Sequence, residues 1–337
     1  MSQGGKFRSW IKRALLNSLA MTLLEQTCQS GVAVLRYHSI QDELKRYANS
    51  IGDIIHGTTV FEEQMQLVAQ KFNPVTLDDI VLYLFGEKAM PRRAVAVTFD
   101  DGFTDNFDIA APILDRFGIR ASFYITVNSV EAVNPPWFCR LRHAFTTTQK
   151  KTWQDSKQGR VRNLVHPEER NAAFLVACER CAVRSGDTQE QVVRSIEHIL
   201  GVEPMTPKDS LMMNWDQIRE LHRSGHIIGS HTLTHPNLAY VRDQDLYREL
   251  IESKRRLEKE LGGPVVHFSY PSPILEPHYA ERTMVATKQV GYRTAVTCTS
   301  GPVRTGDNPL SLKRIWVPSQ RDDFLWNLEW TLLGRSM

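Results

Sequence analysis

Apolar, β-branched runs alternate with stretches of helical periodicity along most of this chain, and that alternation leaves few folds open. VAVLRYH (32–38), AVAVTF (94–99), ASFYITV (121–127), HIIGS (226–230), VVHFSY (265–270) and YRTAVT (292–297) read as strands. Between them, VFEEQMQLVAQKF carries Phe61, Met65, Val68 and Phe72 at helical spacing, TLDDIVLYLFG reads as a helix capped by Thr76 and stopped by Gly86, and NFDIAAPILDRFG reads as another helix. Strands alternating with helices predict an α/β architecture with a mainly parallel sheet or barrel. In such folds ligands gather beyond the C-terminal ends of the strands. Residues 130 to about 210 break the rhythm: they are polar, helical in pattern, and bounded by NPPW and GVEPMTPKD. They are expected to be a helical insertion between two strands, because the α/β pattern resumes directly afterwards.

The question of what the fold carries arises in AVAVTFDDGFTDN (94–106), where a buried strand runs straight into two adjacent acids, Asp100 and Asp101. Two anions at that distance repel, and burial penalises each further, unless a positive charge sits with them. A bound metal ion would resolve the conflict. GHIIGSHTLTHPNL supplies further ligands: His231 closes a strand and His235 follows four residues on, a spacing that puts two imidazoles on one side of a turn. Pro236 disfavours helix at His235, so that turn belongs to a loop. HxxxH alone is a weak signal. Here both His231 and Asp101 follow strands at the same predicted end of the sheet, and two neutral imidazoles with one carboxylate make a three-ligand site for zinc or a similar divalent ion, with a position left for water.

TFDDG (98–102) with HTxxHP (231–236) resembles the polysaccharide deacetylases of carbohydrate esterase family 4, the NodB-homology domain. The likeness extends to LRYHSI, RASFY followed by ITV, NWDQIRELHRSGHIIGSH and HFSYPSP, over roughly residues 31–317. The resemblance implies a distorted (β/α)7-type barrel and metal-dependent removal of N- or O-acetyl groups from a sugar, glycan or glycolipid. It implies Asp101, His231 and His235 as metal ligands, with zinc first and cobalt or nickel as alternatives, and Asp100 as the general base. Ser272 would offer a backbone N–H to the oxyanion, and Thr232 would orient a ligand.

Three departures from the family pattern bear on the reaction. SYPSP puts Ser269, Ser272 and Pro273 where relatives carry Arg, Tyr and Gly; the Asp-Trp support of that Arg has no match near GYRTAVT; and LSLKRI puts Arg314 where relatives carry a His that protonates the leaving amine. Arginine stays protonated and cannot be a general acid, so Arg314 is expected to bind an anionic substrate group or the oxyanion. His38, at the end of the first strand, is the expected acid. Tyr270 and Trp137 are expected to stack on a sugar ring, whereas Trp215 reads as a helix-start packing residue and His267 as a core residue. A related subgroup of envelope and exopolysaccharide enzymes also lacks the Arg and the terminal His, so the resemblance implies a subfamily of active enzymes, with the expected substrate in envelope or exopolysaccharide synthesis. A deformylase or amidase acting on a non-acetyl group, and a carbohydrate-binding pseudoenzyme, are the other readings.

With 337 residues, 42% hydrophobic and 23% charged, the chain has the balance of a globular protein. A net charge of +3 is far from that of a nucleic-acid binder. The five cysteines have no regular spacing. Cys178 and Cys181 form a CxxC inside an amphipathic helical stretch, without the second pair a structural zinc needs, and read as inert thiols in a reducing compartment. KFRSWIKRALLNSLAMTLL (6–24) is basic and then apolar like a signal peptide, but Asn17 and Ser18 interrupt it and no cleavage site follows. It reads as an amphipathic helix within residues 1–30, packed on its own domain or lying on an anionic membrane surface. Barrel residues are expected over 31–320 and a C-terminal helix or tail over 321–337. An acetylated carbohydrate is the expected partner, and the expected location is the cytoplasm, with peripheral contact to the inner membrane through residues 6–24.

Overall fold

The computed structural model describes residue 12 and residues 31–42, 54–131, 135–155, 159–205 and 211–335. The expected N-terminal helix, apart from Lys12, lies outside the described residues. Eight strands form one sheet in which every pairing is parallel: β1 (Ala33–Tyr37), β2 (Asn73–Pro74), β3 (Ala94–Phe99), β4 (Ser122–Ile125), β5 (Ile227–Ser230), β6 (His267–Ser269), β7 (Thr294–Val296) and β8 (Ile315–Trp316). Their spatial order is β7-β6-β5-β4-β3-β1-β8, with β2 beside the start of β3. The two edges of the sheet meet across residues 312–316. Leu312 N–H donates to Ala295 O, Thr297 N–H to Leu312 O and Arg314 N–H to Thr299 O, at 2.8–3.0 Å, while Ile315 pairs with Leu35. This is the expected (β/α) barrel, drawn shut by its last strand.

The helices in chain order are α1 (Thr58–Lys71), α2 (Leu77–Leu84), α3 (Ala111–Arg116), α4 (Val127–Glu131), α5 (Trp137–Thr147), α6 (Pro167–Ala182), α7 (Gly186–Leu200), α8 (Trp215–Arg223), α9 (Asp243–Leu261), α10 (Glu281–Gln289) and α11 (Arg321–Leu332). A π-helical turn, Asn106–Ala110, leads into α3. Thr76 caps α2 as its sequence predicts: its hydroxyl accepts from Asp79 N–H, and the Asp79 carboxylate accepts from Thr76 N–H in return. Asn214 and Gln217 make the same reciprocal cap on α8, and Trp215 packs on the core beside it.

Strand alternation sorts the side chains into two layers. Leu35, Tyr37, Val95, Val97, Phe99, Phe123 and Phe268 face outward and pack under the helices. Val34, Ala96, Tyr124, Val296 and Leu312 face inward, and α2 adds Leu77 and Ile80 to them at the N-terminal ends of the strands. The barrel floor is therefore mainly apolar, with His267 and Thr294 bonded to each other within it. One glycine of β5 is dictated by this packing: a Cβ on Gly229 would stand 2.5 Å from the Tyr124 ring.

Between β4 and β5 the chain makes the insertion, α5 to α7 with a small antiparallel hairpin, Thr152–Gln154 against Val161–Asn163, that the sequence did not announce. It has its own core, including Trp137, Leu141, Phe145, Trp153, Phe174, Cys178 and Cys181. Burial pushes both of these thiols up, Cys181 to about 12, which fits their reading as inert. Among the described residues no helix is long and apolar enough to cross a membrane.

Candidate metal centre and active site

Three adjacent strands, β3, β4 and β5, deliver the site. Where β3 ends, Asp101 and Gly102 both take left-handed backbone, φ 74° and 89°. That double turn is why a glycine follows the acids, and it aims the Asp101 carboxylate back over the barrel mouth. The central strand ties the two ligand loops together: Thr126 N–H donates to Asp101 O, and His231 N–H donates to Ile125 O. Thr232 and His235 are also left-handed, at φ 69° and 57°. Such conformations cost about 1–2 kcal/mol for a residue with a Cβ. Their concentration at the proposed ligands marks a place where the fold overrides local preference.

What holds the second loop is a residue the sequence reading did not single out. Glu249, wholly buried in α9, accepts from Leu233 N–H (2.8 Å), Thr234 N–H (2.9 Å) and the Thr234 hydroxyl (2.6 Å). The Thr232 hydroxyl accepts from His235 N–H at 3.0 Å, and Trp137 Nε1–H donates to His235 O at 3.1 Å. His231 Nδ1 meets Ser269 O at 2.8 Å, leaving Nε2 free to point inward.

The result brings together the three ligands expected from sequence. Asp101 Oδ1 lies 3.5 Å from His231 Nε2 and 3.3 Å from His235 Nε2, all three residues are buried, and their ligand atoms lie within 4.8 Å of one another. Asp101 Oδ1 is a buried oxygen with no hydrogen-bond partner among the described residues, the kind of orphan that a metal ion satisfies. Burial takes His231 down to about 4, so its imidazole is neutral near pH 7. Burial pushes the Asp101 carboxyl up, but His235 and the other histidines outweigh it and hold it below the usual range. A neutral imidazole beside an ionised carboxylate is the donor chemistry a divalent cation needs, and the residues present fit such an ion.

Asp100 has a different partner. Arg314 grips it with both arms, Nη1 to Oδ1 at 2.8 Å and Nη2 to Oδ2 at 2.7 Å, while the Ser269 hydroxyl donates to Oδ1 at 3.0 Å. Burial opposes ionisation, yet the Arg314 guanidinium holds this carboxyl well below the usual carboxylate range. The remaining donors of Arg314 reach Thr297 O, the Thr98 hydroxyl and the Ser269 hydroxyl, at 2.9–3.2 Å. All five guanidinium N–H groups are thus spent and the side chain is buried. This corrects the expectation that Arg314 meets substrate or oxyanion: it has no donor left to offer.

Tyr270 is corrected too. It is 1% exposed, stacks on Tyr279 at 4.8 Å, and its hydroxyl faces Thr287 of α10. Ser269 faces the barrel interior, so the next residue turns outward to the helix layer. His38, Trp137 and Ser272 do line the cavity above the site, together with Arg36, Phe138, Arg142, Phe174, Pro273, Ile274 and Trp316. That cavity measures about 270 Å³. His38 Nε2 stands 4.0 Å from Asp100 Oδ2, and burial lowers it to about 4 against the pull of Asp101 and Asp100. His267, below, bonds Thr294 and Asp78 inside the barrel, as a core residue would.

Comparison with known proteins bears on the fold and the family. The family profile described as polysaccharide deacetylase matches residues 87–164 and 187–295, more than half of the chain. YxkH of Bacillus subtilis (strain 168), a proposed polysaccharide deacetylase, is 21% identical over 285 residues, 84% of this chain and 70% of that protein. Among solved structures, the Streptococcus pyogenes deacetylase PplD, in complex with acetate, superposes with a TM-score of 0.60 at 18% identity, covering 90% of this chain and 99% of that one. The de-N-acetylase from Aggregatibacter actinomycetemcomitans gives a TM-score of 0.56 at 16% identity, over 88% and 99%. Fold and family profile agree, and the chain belongs to the polysaccharide deacetylase family.

Proposed function

We propose that this protein is a metal-dependent deacetylase that hydrolyses N-acetyl groups of a saccharide or glycolipid in cell-envelope or exopolysaccharide synthesis. The observation that carries this reading is the pairing of Asp101, His231 and His235 around one point with the arginine-gripped Asp100 beside them. Asp101, His231 and His235 would hold the cation. When bound there, a divalent ion lowers the pKa of a water ligand by several units and polarises an acyl oxygen.

The chain's own residues supply the proton traffic. Asp100, kept ionised by Arg314, takes a proton from the water that attacks the acetamide carbon. His38 Nε2 stands 4.0 Å from Asp100 Oδ2, so a proton taken up by Asp100 has an imidazole beside it to receive it. His38 lines the cavity and can pass it to the amine as the C–N bond breaks, giving acetate and the free amino sugar. Ser272 at the cavity wall is the proposed oxyanion donor through its backbone N–H. Trp137 closes the wall above His235.

The test is acetate release from N-acetylated oligosaccharides by the purified full chain, with metal content measured alongside. Release that stops on chelation and returns with zinc or cobalt is the expected result. Saccharide binding with no acetate at any metal loading would make the protein a carbohydrate-binding pseudoenzyme and end this reading.

A further inference from the structure

The cavity above the site has a charge balance that a neutral sugar does not explain. Its two carboxylates are both committed, Asp100 to Arg314 and Asp101 to the two histidines. Yet its wall carries two further arginines, Arg36 and Arg142, on opposite structural units: Arg36 on β1 of the barrel and Arg142 on α5 of the insertion. Neither has a carboxylate partner among the described residues. Each is held instead by an aromatic face, Arg36 at 5.8 Å from the Trp316 ring and Arg142 at 4.4 Å from the Phe174 ring. In addition, Arg36 Nε is a buried donor with no hydrogen-bond partner.

These placements follow from the fold. Arg36 shares the inward face of β1 with His38, and its register neighbour across the sheet is Trp316 of β8. Phe174 belongs to α6, within the stretch 165–186 that lies between the two segments matched by the family profile. Cation–π contacts fix a guanidinium's position without using its N–H donors. An arginine held this way keeps its planar fork for an oxyanion, and a buried, unsatisfied donor costs free energy until one arrives.

We infer that the cavity takes an anionic N-acetylated saccharide, one bearing a carboxylate or phosphate near the acetylated sugar, and that Arg36 and Arg142 recognise that negative group. The inference rests on the deacetylase reading for the acetylated part of the ligand and stands on its own for the anion. Both arginines are specificity residues in this account. Neither belongs to the proton path.

Binding and turnover separate the two readings. The metal-stripped full chain is titrated calorimetrically with a heparosan tetrasaccharide (carboxylate), with UDP-N-acetylglucosamine (phosphate) and with fully N-acetylated chitotetraose (neutral). Stripping the metal removes any direct anion–metal contact. At least one anionic probe should bind about 10-fold or more tighter than chitotetraose, and which one it is identifies the anion. Arg36→Gln and Arg142→Gln should each forfeit about 10-fold for that probe, leave chitotetraose binding unchanged, and lessen the salt dependence. Equal affinity for all three probes, or equal losses across all three in the variants, would overturn the inference. Acetate release from the same probes by zinc-loaded protein is the second readout. Anion-selective binding without release would retire the deacetylase reading and keep the anion subsite; release without anion preference would do the reverse.

Discussion

Arg314 and Asp100 form a closed fork, two parallel hydrogen bonds of 2.8 and 2.7 Å between a fully buried guanidinium and a fully buried carboxylate. The two residues are 214 positions apart in the chain, one just before the strand that closes the barrel and the other just after β3. Arg314→Met should cut kcat by about 10²-fold or more. It should also move the acid limb of the kcat/KM pH profile to higher pH, because Asp100 loses the cation that holds its carboxyl down. The variant strands a buried charge, at a cost of about 3–5 kcal/mol in stability. Adding Asp100→Asn should restore most of that stability but none of the activity. Thermal melts and pH–rate profiles of the three proteins check this, and an unshifted acid limb would deny Arg314 its role.

Asp100 and Asp101 are neighbours with different work, and substitution should separate them. Asp101→Ala removes a ligand oxygen and should lose bound zinc and turnover together. Asp100→Asn should keep one zinc per chain and lose turnover. Metal analysis of both variants against acetate release decides the matter; full activity in Asp100→Asn would remove the proposed base.

Glu249 is tested through the loop it holds. Glu249→Ala leaves Leu233 and Thr234 N–H without their acceptor, beside His235. Zinc affinity should fall about 10–100-fold, as for other residues that orient ligands, and stability should fall by about 1–3 kcal/mol. Competition with a chromophoric chelator measures the first and thermal melting the second.

Asp105 makes stability depend on pH. Burial raises its carboxyl from 3.8 to about 7, against the lowering effect of hydrogen bonds from Ser39, Ile40 N–H and Asn106. Between those two values the unfolded chain has released this proton and the folded chain retains it, so raising the pH through the window destabilises the fold. Above about 7 the penalty is complete. Asp105→Asn should therefore gain on the wild type progressively from pH 4 to 7 and hold a constant advantage above it. Parallel melting curves across that range would show that Asp105 does not titrate as described.

The elements legible in the sequence were those with several apolar residues in period. AVAVTF is a strand over the very residues expected, and the Thr76 cap and the insertion after β4 stand as read. Strands of two or three residues, such as Asn73–Pro74, Ile315–Trp316 and the insertion's hairpin, are too short to show a period, and only their partners define them. The site divides the same way. The sequence reading brought Asp101, His231 and His235 together because Asp101 and His231 each follow a strand and His235 stands four residues beyond His231. It misplaced Arg314 because it compared position with position. Ser269 stands where relatives carry the arginine, and Arg314 reaches the same carboxylate from 45 residues further along. Tyr270 was a matter of strand parity, which one residue reverses. Trp316, 43% exposed at the cavity mouth, had no signal beyond its type.

Closure of the barrel by residues 312–316 couples the end of the chain to its chemistry. Asp101, His231 and His235 are held by residues no later than 269, Glu249 and Ser269 among them, but the acid beside them takes its guanidinium from the segment that lies between β7 and β1. Without residues 312–316 the two acids would part ways: Asp101 would keep both imidazoles beside it, and Asp100 would lose its guanidinium.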